Sequence, residues 1–392
     1  MSHSRKVGYL LLTLVIIFYT PYVALLLREG GELPQDFFNF PAKVPTVKPD
    51  KNYLVIVITS LLFIAYLLLV FFPRIYGIRP ATTPPPRPPK TRLPWWFWLG
   101  LVLWGAIIVI FAAKLSGPKW LLNWALLPLW WGFIFMLDGI VYARNGGKSL
   151  MKNGMAELFA MGMLSISGWL IFEYFNFFIN INWFYPHAEI VPRDEFLLYA
   201  IVGSSAFIPM AFEWYHLLLT FPRINAGYRQ GSKVKWSLTA RIIILIVAAG
   251  LLFSMVFAPD SLFYAFWLGP LTILIIVLGM LGKWTPFRAI REQGDWNPLI
   301  VFSTVWVIQG LCVECWNRLS YFQSIAVRFH GGSYNPGYWD YCIPFVNFYH
   351  IFNMPLLGYL GYVPFGIYCF IWVITMSFVM NIKLPFTMGD HE

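Results

Sequence analysis

Long uncharged apolar runs alternate along the chain with short segments that carry most of its charge. "VGYLLLTLVIIFYTPYVALLL", "YLVIVITSLLFIAYLLLVFF" and "WFWLGLVLWGAIIVIFAA" each run for about 18 residues or more, enough to cross a hydrocarbon core of about 30 Å. The pattern predicts ten apolar helices, at about 7–27, 51–73, 95–113, 119–142, 154–183, 195–221, 238–258, 261–283, 296–321 and 350–380. The last apolar segment begins only after Pro355, which suggests entry through a short interfacial helix carrying His350.

The basic residues give an orientation. With a cytoplasmic N-terminus, the inner segments are the first residues, 74–92, 144–152, 223–241, 283–291 and the tail. These hold 19 of the 28 Lys and Arg. Cytoplasmic loops carry such an excess, so ten crossings with both termini cytoplasmic are expected, in a cell membrane of the bacterial inner-membrane type. The first apolar run is too long for a signal peptide and no small-residue cleavage site follows it, so it reads as a retained helix.

Landmarks recur between helices 3–6 and 7–10. "LLPLWWGF" and "WLGPLTIL" place Pro128 and Pro270 early in helices 4 and 8. "FEYFN" and "VECWN" then place Glu173-x-x-Asn176 and Glu314-x-x-Asn317 in helices 5 and 9. "VGSSAFIPMAFEWY" and "LGYLGYVPFGIYCF" form a looser third match around Pro209 and Pro364. An even number of helices per unit makes such repeats parallel, about a pseudo-twofold axis along the membrane normal. The expected fold is all-α and integral to the membrane. It has two N-terminal helices (1–75), a Pro-rich cytoplasmic linker read as a spacer (76–94), a first four-helix repeat (95–237) and a second with a long outer loop (238–392).

Composition agrees with this class. The chain is 59% hydrophobic and 12% charged, against about 25% charged in soluble domains. Nineteen Trp exceed the needs of interfacial belts and point to aromatic helix contacts or a ligand space. The net charge of +10 belongs with anionic lipid headgroups rather than nucleic acid. Four Cys form no disulfide framework. Nucleotide-binding and metalloprotease motifs are missing, as is a soluble domain large enough to bind a nucleotide.

The candidate chemistry lies in the polar groups inside the apolar runs. A charged residue at the bilayer centre costs at least ~2.5–3.5 kcal/mol on insertion scales, so such groups face protein or water. Glu173, Asn176 and Asn180 sit at i, i+3 and i+7, on one helical stripe. Glu314 and Asn317 match them, with Arg318 adjacent. The two Glu could meet across the pseudo-axis and share a proton, or Arg318 could neutralise one. Either a ligand headgroup sits on these residues, or they are polar glue between helices. The outer loop is expected to fold over this site and bring His350 and Asn353 beside Glu314 and Asn317.

Glu213-x-x-His216 has the spacing of carboxylate di-metal bundles. The second such motif is missing, so the two are read as a structural hydrogen-bonded pair and only a weak metal candidate. His216 and His350 fall at different depths, which argues against a bis-His haem. Cys312-x-x-Cys315 lacks a thioredoxin-like setting and reads as small packing residues. Asp138 is expected to pair with Arg144 or to cap a neighbouring loop, and Glu157 to snorkel at the interface.

The words "LPLWWGFIFMLDGI", "FEYFNFFININWFY" and "MPLLGYLGYVPF" resemble those of an uncharacterised group of bacterial polytopic membrane proteins, over helices 4–10. The resemblance implies the membrane fold and no activity. In plan alone, the two four-helix units are similar to the quinone-binding NrfD-like anchors of respiratory complexes. Three functions follow as expectations. The first is binding of a lipophilic molecule (quinone, isoprenoid or lipid) near the outer face, by a membrane subunit of a larger assembly with partner membrane subunits. The second is a proton-coupled transporter using Glu173 and Glu314. The third is a membrane enzyme acting on a lipid or polyprenyl substrate.

Overall fold

The computed structural model describes residues 2–42, 49–83, 85, 86 and 88–388. Pro84 and Arg87 of the linker, and residues 389–392 of the expected cytoplasmic tail, lie outside the described residues. The chain is 67% helical. It opens with α1 (His3–Arg28) and α2 (Tyr53–Phe71), the latter capped by Asn52, whose Oδ1 accepts from the backbone N–H of Leu54 and Val55. After the linker come α3 (Trp95–Ala112), α4 (Lys119–Asn123), α5 (Leu126–Arg144), α6 (Leu150–Asn153) and α7 (Met155–Phe178). Strand β1 (Trp183–Phe184) precedes α8 (Arg193–Ser204), α9 (Phe207–Leu219) and α10 (Pro222–Ala226). Then follow α11 (Leu238–Ser254), α12 (Ala265–Met280), α13 (Pro286–Gln293) and α14 (Asn297–Arg328). Strands β2 (Asp340–Tyr341), β3 (His350–Ile351) and β4 (Met354–Pro355) lead into α15 (Tyr362–Met380) and α16 (Pro385–Met388).

Among the described residues eight helical segments are long and apolar enough to cross a membrane: α1, α2, α3, α5, α7, α8 with α9, α14, and α15 with the 3₁₀ turn before it. The other two apolar helices, α11 and α12, have 17 and 16 residues. At 1.5 Å per residue they reach only about 24–26 Å. This is the build of a polytopic membrane protein.

Prolines explain two breaks that the apolar pattern did not predict. Pro128 supplies no N–H for the carbonyl of Trp124, and the expected helix 4 divides into α4 and α5 there. Pro209 does the same to Ser205, between α8 and α9. Ser165 Oγ bonds the Ser204 carbonyl at that break and accepts from Ile208 N at 3.1 Å. Three other bounds also move. α7 stops at Phe178, because Asn180 and Ile181 turn left-handed with φ of +54° and +55°. α14 runs on to Arg328. Residues 350–355 form the β3–β4 hairpin rather than an interfacial helix.

Over residues 95–237 α3 packs on α5, α5 on α9 and α7 on α9; over residues 238–388 α11 packs on α12, α12 on α15 and α14 on α15. Between these two segments α14 packs on α3 and α9, and α7 on α15. At the α3–α5 crossing glycines face each other. A Cβ on Gly100 would lie 2.4 Å from the Gly132 carbonyl oxygen, so only glycine permits that backbone approach. α2 stands outside this body with no buried residue, against the turn before α15.

The Pro-rich linker is more than a spacer, because backbone bonds strap it along one end of the bundle. Arg79 and Gln230 exchange bonds of 2.7 and 3.0 Å, and Ala81 N donates to Ala226 O at 2.8 Å. Thr91 N donates to Ala143 O at 2.8 Å, and Gly146 N to Pro89 O at 3.1 Å. At the opposite end Arg28 Nη1 bonds Val256 O at 2.7 Å, and β1 pairs with β2.

Candidate functional site

Glu173 and Glu314 lie buried on α7 and α14, at 5% and 0% exposure. The two carboxylates are not bonded to each other; each has its own aromatic donors. Glu173 Oε1 accepts from Trp183 Nε1 at 2.8 Å and from Tyr185 OH at 2.6 Å. Glu314 Oε1 accepts from Trp339 Nε1 at 3.3 Å, Tyr341 OH at 2.6 Å and Tyr362 OH at 2.9 Å. In both cases a Trp and a Tyr donor stand on a Trp-x-Tyr stretch that leaves the helix and folds back; Tyr362 joins the second set from α15. Buried charge or polarity needs such donors, since an unpaired buried group costs about 1–3 kcal/mol or more.

The asparagine one turn on completes each clasp. Asn176 Nδ2 donates to Trp183 O at 2.9 Å and its Oδ1 accepts from Asn182 N at 2.7 Å. Asn317 Nδ2 donates to Trp339 O at 2.8 Å and its Oδ1 accepts from Trp339 N at 3.2 Å. The Glu-x-x-Asn motif thus holds a Trp-x-Tyr strand by its side chains and its backbone together. The two strands then pair with each other, Trp183 opposite Tyr341 and Phe184 opposite Asp340. Burial, then the adjacent carboxylate, pushes the Tyr185 and Tyr341 phenols well above their ordinary range. Both therefore remain donors at neutral pH.

The other candidate residues scatter. Asn180 leaves the helical stripe because α7 has already ended; it is exposed and bonds Asp260 Oδ2 at 3.4 Å. Arg318 forms no ion pair with Glu314. It donates to Asn353 Oδ1 at 3.2 Å and lies over the Tyr321 and Phe322 rings. Asn353 does join the second clasp, through Nδ2 to Trp339 O at 3.3 Å. His350 does not, because the hairpin turns it outward to Asn347, at 3.0 Å. The expected Glu213–His216 bond is absent: both His216 nitrogens lack hydrogen-bond partners. Glu213 faces the Asp138 carboxyl group instead. Asp138 caps a loop, accepting from Met151 N and Trp96 Nε1, each at 2.8 Å, while Arg144 bonds Thr220 Oγ1. Glu157 is buried rather than snorkelling and accepts from Phe386 N at 2.8 Å. Cys312 and Cys315 are free thiols.

A cavity of about 910 Å³ lies between the two halves, at the level of the clasps. Its walls are aromatic: Phe172 lies against Trp267 with ring centroids 4.8 Å apart, Trp183 against Phe266 at 5.8 Å, and Trp306 against Phe365 at 4.7 Å. Tyr185, Trp339, Tyr341 and Tyr362 line it as well. Glu173 and Glu314 are not among the lining residues; they stand behind the aromatic layer. Val55, Ile58, Leu62 and Tyr66 of the outlying α2 close one side. Sequence reasoning missed the Trp-x-Tyr stretches. Their signal is a shared spelling after each Glu-x-x-Asn, hidden by unequal loops that put Trp183 and Trp339 at different distances from their Glu.

Comparison with protein-family models, curated proteins and solved structures found no match.

Proposed function

We propose that this membrane protein holds a lipophilic molecule (a quinone, isoprenoid or lipid) in the aromatic cavity between its halves, as a membrane subunit of a larger assembly. The cavity carries this reading. Its volume falls within the range of small-molecule sites, roughly 300–1,000 Å³, and it combines apolar walls with few polar groups. The exposed α2 forms one wall, which gives a ligand a lateral route from the lipid. In this reading Glu173 and Glu314 are positioning residues. They fix the Trp and Tyr side chains that meet the ligand, while Asn176, Asn317 and Asn353 fix the strands that carry them. Transport or acid–base catalysis through the two Glu has no comparable support, because both are bonded behind the aromatic layer.

The proposal includes two copies of one four-helix unit, 95–237 and 238–392, and ten crossings with both termini cytoplasmic. The paired clasps and the matching helix contacts support the copies. The bias of basic residues supports the orientation.

The test is to purify the full chain from its native membrane, extract it, and identify what co-purifies by mass spectrometry. One lipophilic compound in near-stoichiometric amount is expected. It should be lost from Ala200→Trp, which places a large ring at the cavity wall. Equal lipid content in both proteins, with no enriched species, would sink the reading.

A further inference from the structure

Two polar groups in the cavity wall have no partner. Trp306 and Gln309 sit at i and i+3 on α14, on one face of the helix, and both are 1% exposed. The Trp306 indole N–H and the Gln309 side-chain oxygen are buried without a hydrogen-bond partner. The amide orientation is fixed, because Gln309 Nε2 donates to the Phe207 carbonyl at 3.0 Å. Trp306 is fixed too. It packs on Gly366, where any Cβ would lie 2.4 Å from the indole, and against the Phe365 ring. A donor and an acceptor without partners therefore stand one turn apart on the α14 face that borders a mainly apolar space.

We propose that this pair selects a hydroxyl headgroup, so that the ligand is a long-chain alcohol of the isoprenoid or fatty type. The inference rests on the cavity reading above and deepens it. A hydroxyl is both acceptor and donor. It can accept from Trp306 and donate to Gln309, and leaves neither group buried and unpaired. A quinone carbonyl or an ether oxygen satisfies only Trp306. A carboxylate or phosphate would set negative charge against the Gln309 oxygen, and no Asp, Glu, Lys or Arg lines the cavity among the described residues. The apolar remainder takes the hydrocarbon chain. The pair belongs to one half only, since the corresponding positions on α7 are Ser165 and Gly168.

The test measures affinities of farnesol, farnesyl methyl ether and decyl-ubiquinone for the full chain in nanodiscs, by quenching of tryptophan fluorescence. Losing one hydrogen bond to a buried group costs about tenfold in affinity. Farnesol should bind roughly tenfold more tightly than its methyl ether by that argument. Gln309→Leu should bring the two affinities together by weakening farnesol alone, and Trp306→Phe should weaken both. The ratio is taken within one protein, so a change in overall fold does not imitate the effect. Gln309→Met replaces the leucine variant if that one does not fold. Equal binding of alcohol and ether by the wild-type protein, or tighter binding of the quinone, would overturn the headgroup assignment and leave the cavity reading standing. No binding of any probe would overturn both.

Discussion

Tyr185→Phe isolates one bond of the first clasp. The ring stays and only the phenol oxygen goes, with its 2.6 Å bond to Glu173. Trp183 Nε1 then remains as the carboxylate's donor at 2.8 Å. A neutral buried hydrogen bond contributes about 0.5–1.5 kcal/mol net, and one to a charged group about 1.5–3. Polar contacts inside membrane proteins average about 0.6 and reach about 1.7 kcal/mol. The short distance and the burial of Glu173 place this bond at the top of the membrane range, about 1.5 kcal/mol. Tyr341→Phe should cost a similar amount, about 1.5 kcal/mol: Glu314 keeps Tyr362 at 2.9 Å as well as Trp339, but the phenol oxygen also accepts from Trp339 Nε1 at 3.0 Å, and that bond is lost too.

The assay is reversible unfolding in mixed detergent micelles, followed by circular dichroism, within a double-mutant cycle of Tyr185→Phe and Glu173→Ala. A coupling of about 1 kcal/mol or more is expected. The clasp is refuted if Tyr185→Phe costs the same with and without Glu173, for then the phenol stabilises the fold through other contacts.

Asn176→Ala should cost about 2–3 kcal/mol, because it removes both bonds that the side chain makes to the backbone at Asn182 and Trp183; Asn180→Gly should fall within about 0.5 kcal/mol, and the same unfolding assay compares them. Gly310→Ala would put a Cβ 2.5 Å from the Tyr362 ring, which Glu314 holds, and should cost about 1–3 kcal/mol with a changed near-ultraviolet circular dichroism signal. In the loop after β1, burial first and then the charge of Arg328 hold the His187 imidazole down at about 4, from an ordinary 6.5. The unfolded chain then binds the proton more readily, so this contribution is complete above pH 6.5 and is lost as pH falls from 6.5 towards 4. Melting temperatures over that range should fall more steeply for wild type than for His187→Phe.

The eight membrane-length apolar helices among the described residues were legible in the sequence because lipid demands long uncharged stretches, and that demand needs no tertiary information. The two Glu-x-x-Asn motifs were legible because buried polarity stands out against such a background. The partners were not. Trp183, Tyr185, Trp339 and Tyr341 are ordinary interfacial aromatics until the loops fold back, and unequal loops removed the constant spacing that would have linked them to their Glu. Helix ends failed for local reasons. Asn180 kept the i+7 spacing of a stripe, but two left-handed residues had already ended α7. His350 and Asn353 kept i+3 spacing, but their segment is a hairpin, so only Asn353 reaches the site.

The strand pair between the clasps has a consequence for how the halves depend on each other. Trp183 opposes Tyr341, and Phe184 opposes Asp340. An exchange of the proposed copies maps Trp183 onto Trp339 and Tyr341 onto Tyr185, which preserves this antiparallel register. The centre of the pair then lies on the pseudo-axis. There Phe184 and Asp340 need not match, and they do not. Each clasp thus braces the strand on which the other's partner leans. Loss of Glu173 loosens β1, which Asn176 then holds by its backbone alone, and β2 loses part of its support even though Glu314 is untouched. Contacts that share a network couple by about 0.5–3 kcal/mol, whereas independent sites add within about 0.5 kcal/mol. Glu173→Ala and Glu314→Ala should therefore be sub-additive in the unfolding assay, since the first loss already releases part of what the second would. Strict additivity would mean that the strands pair without transmitting strain, and that the halves are held together by helix packing, α14 on α3 and α9 and α7 on α15.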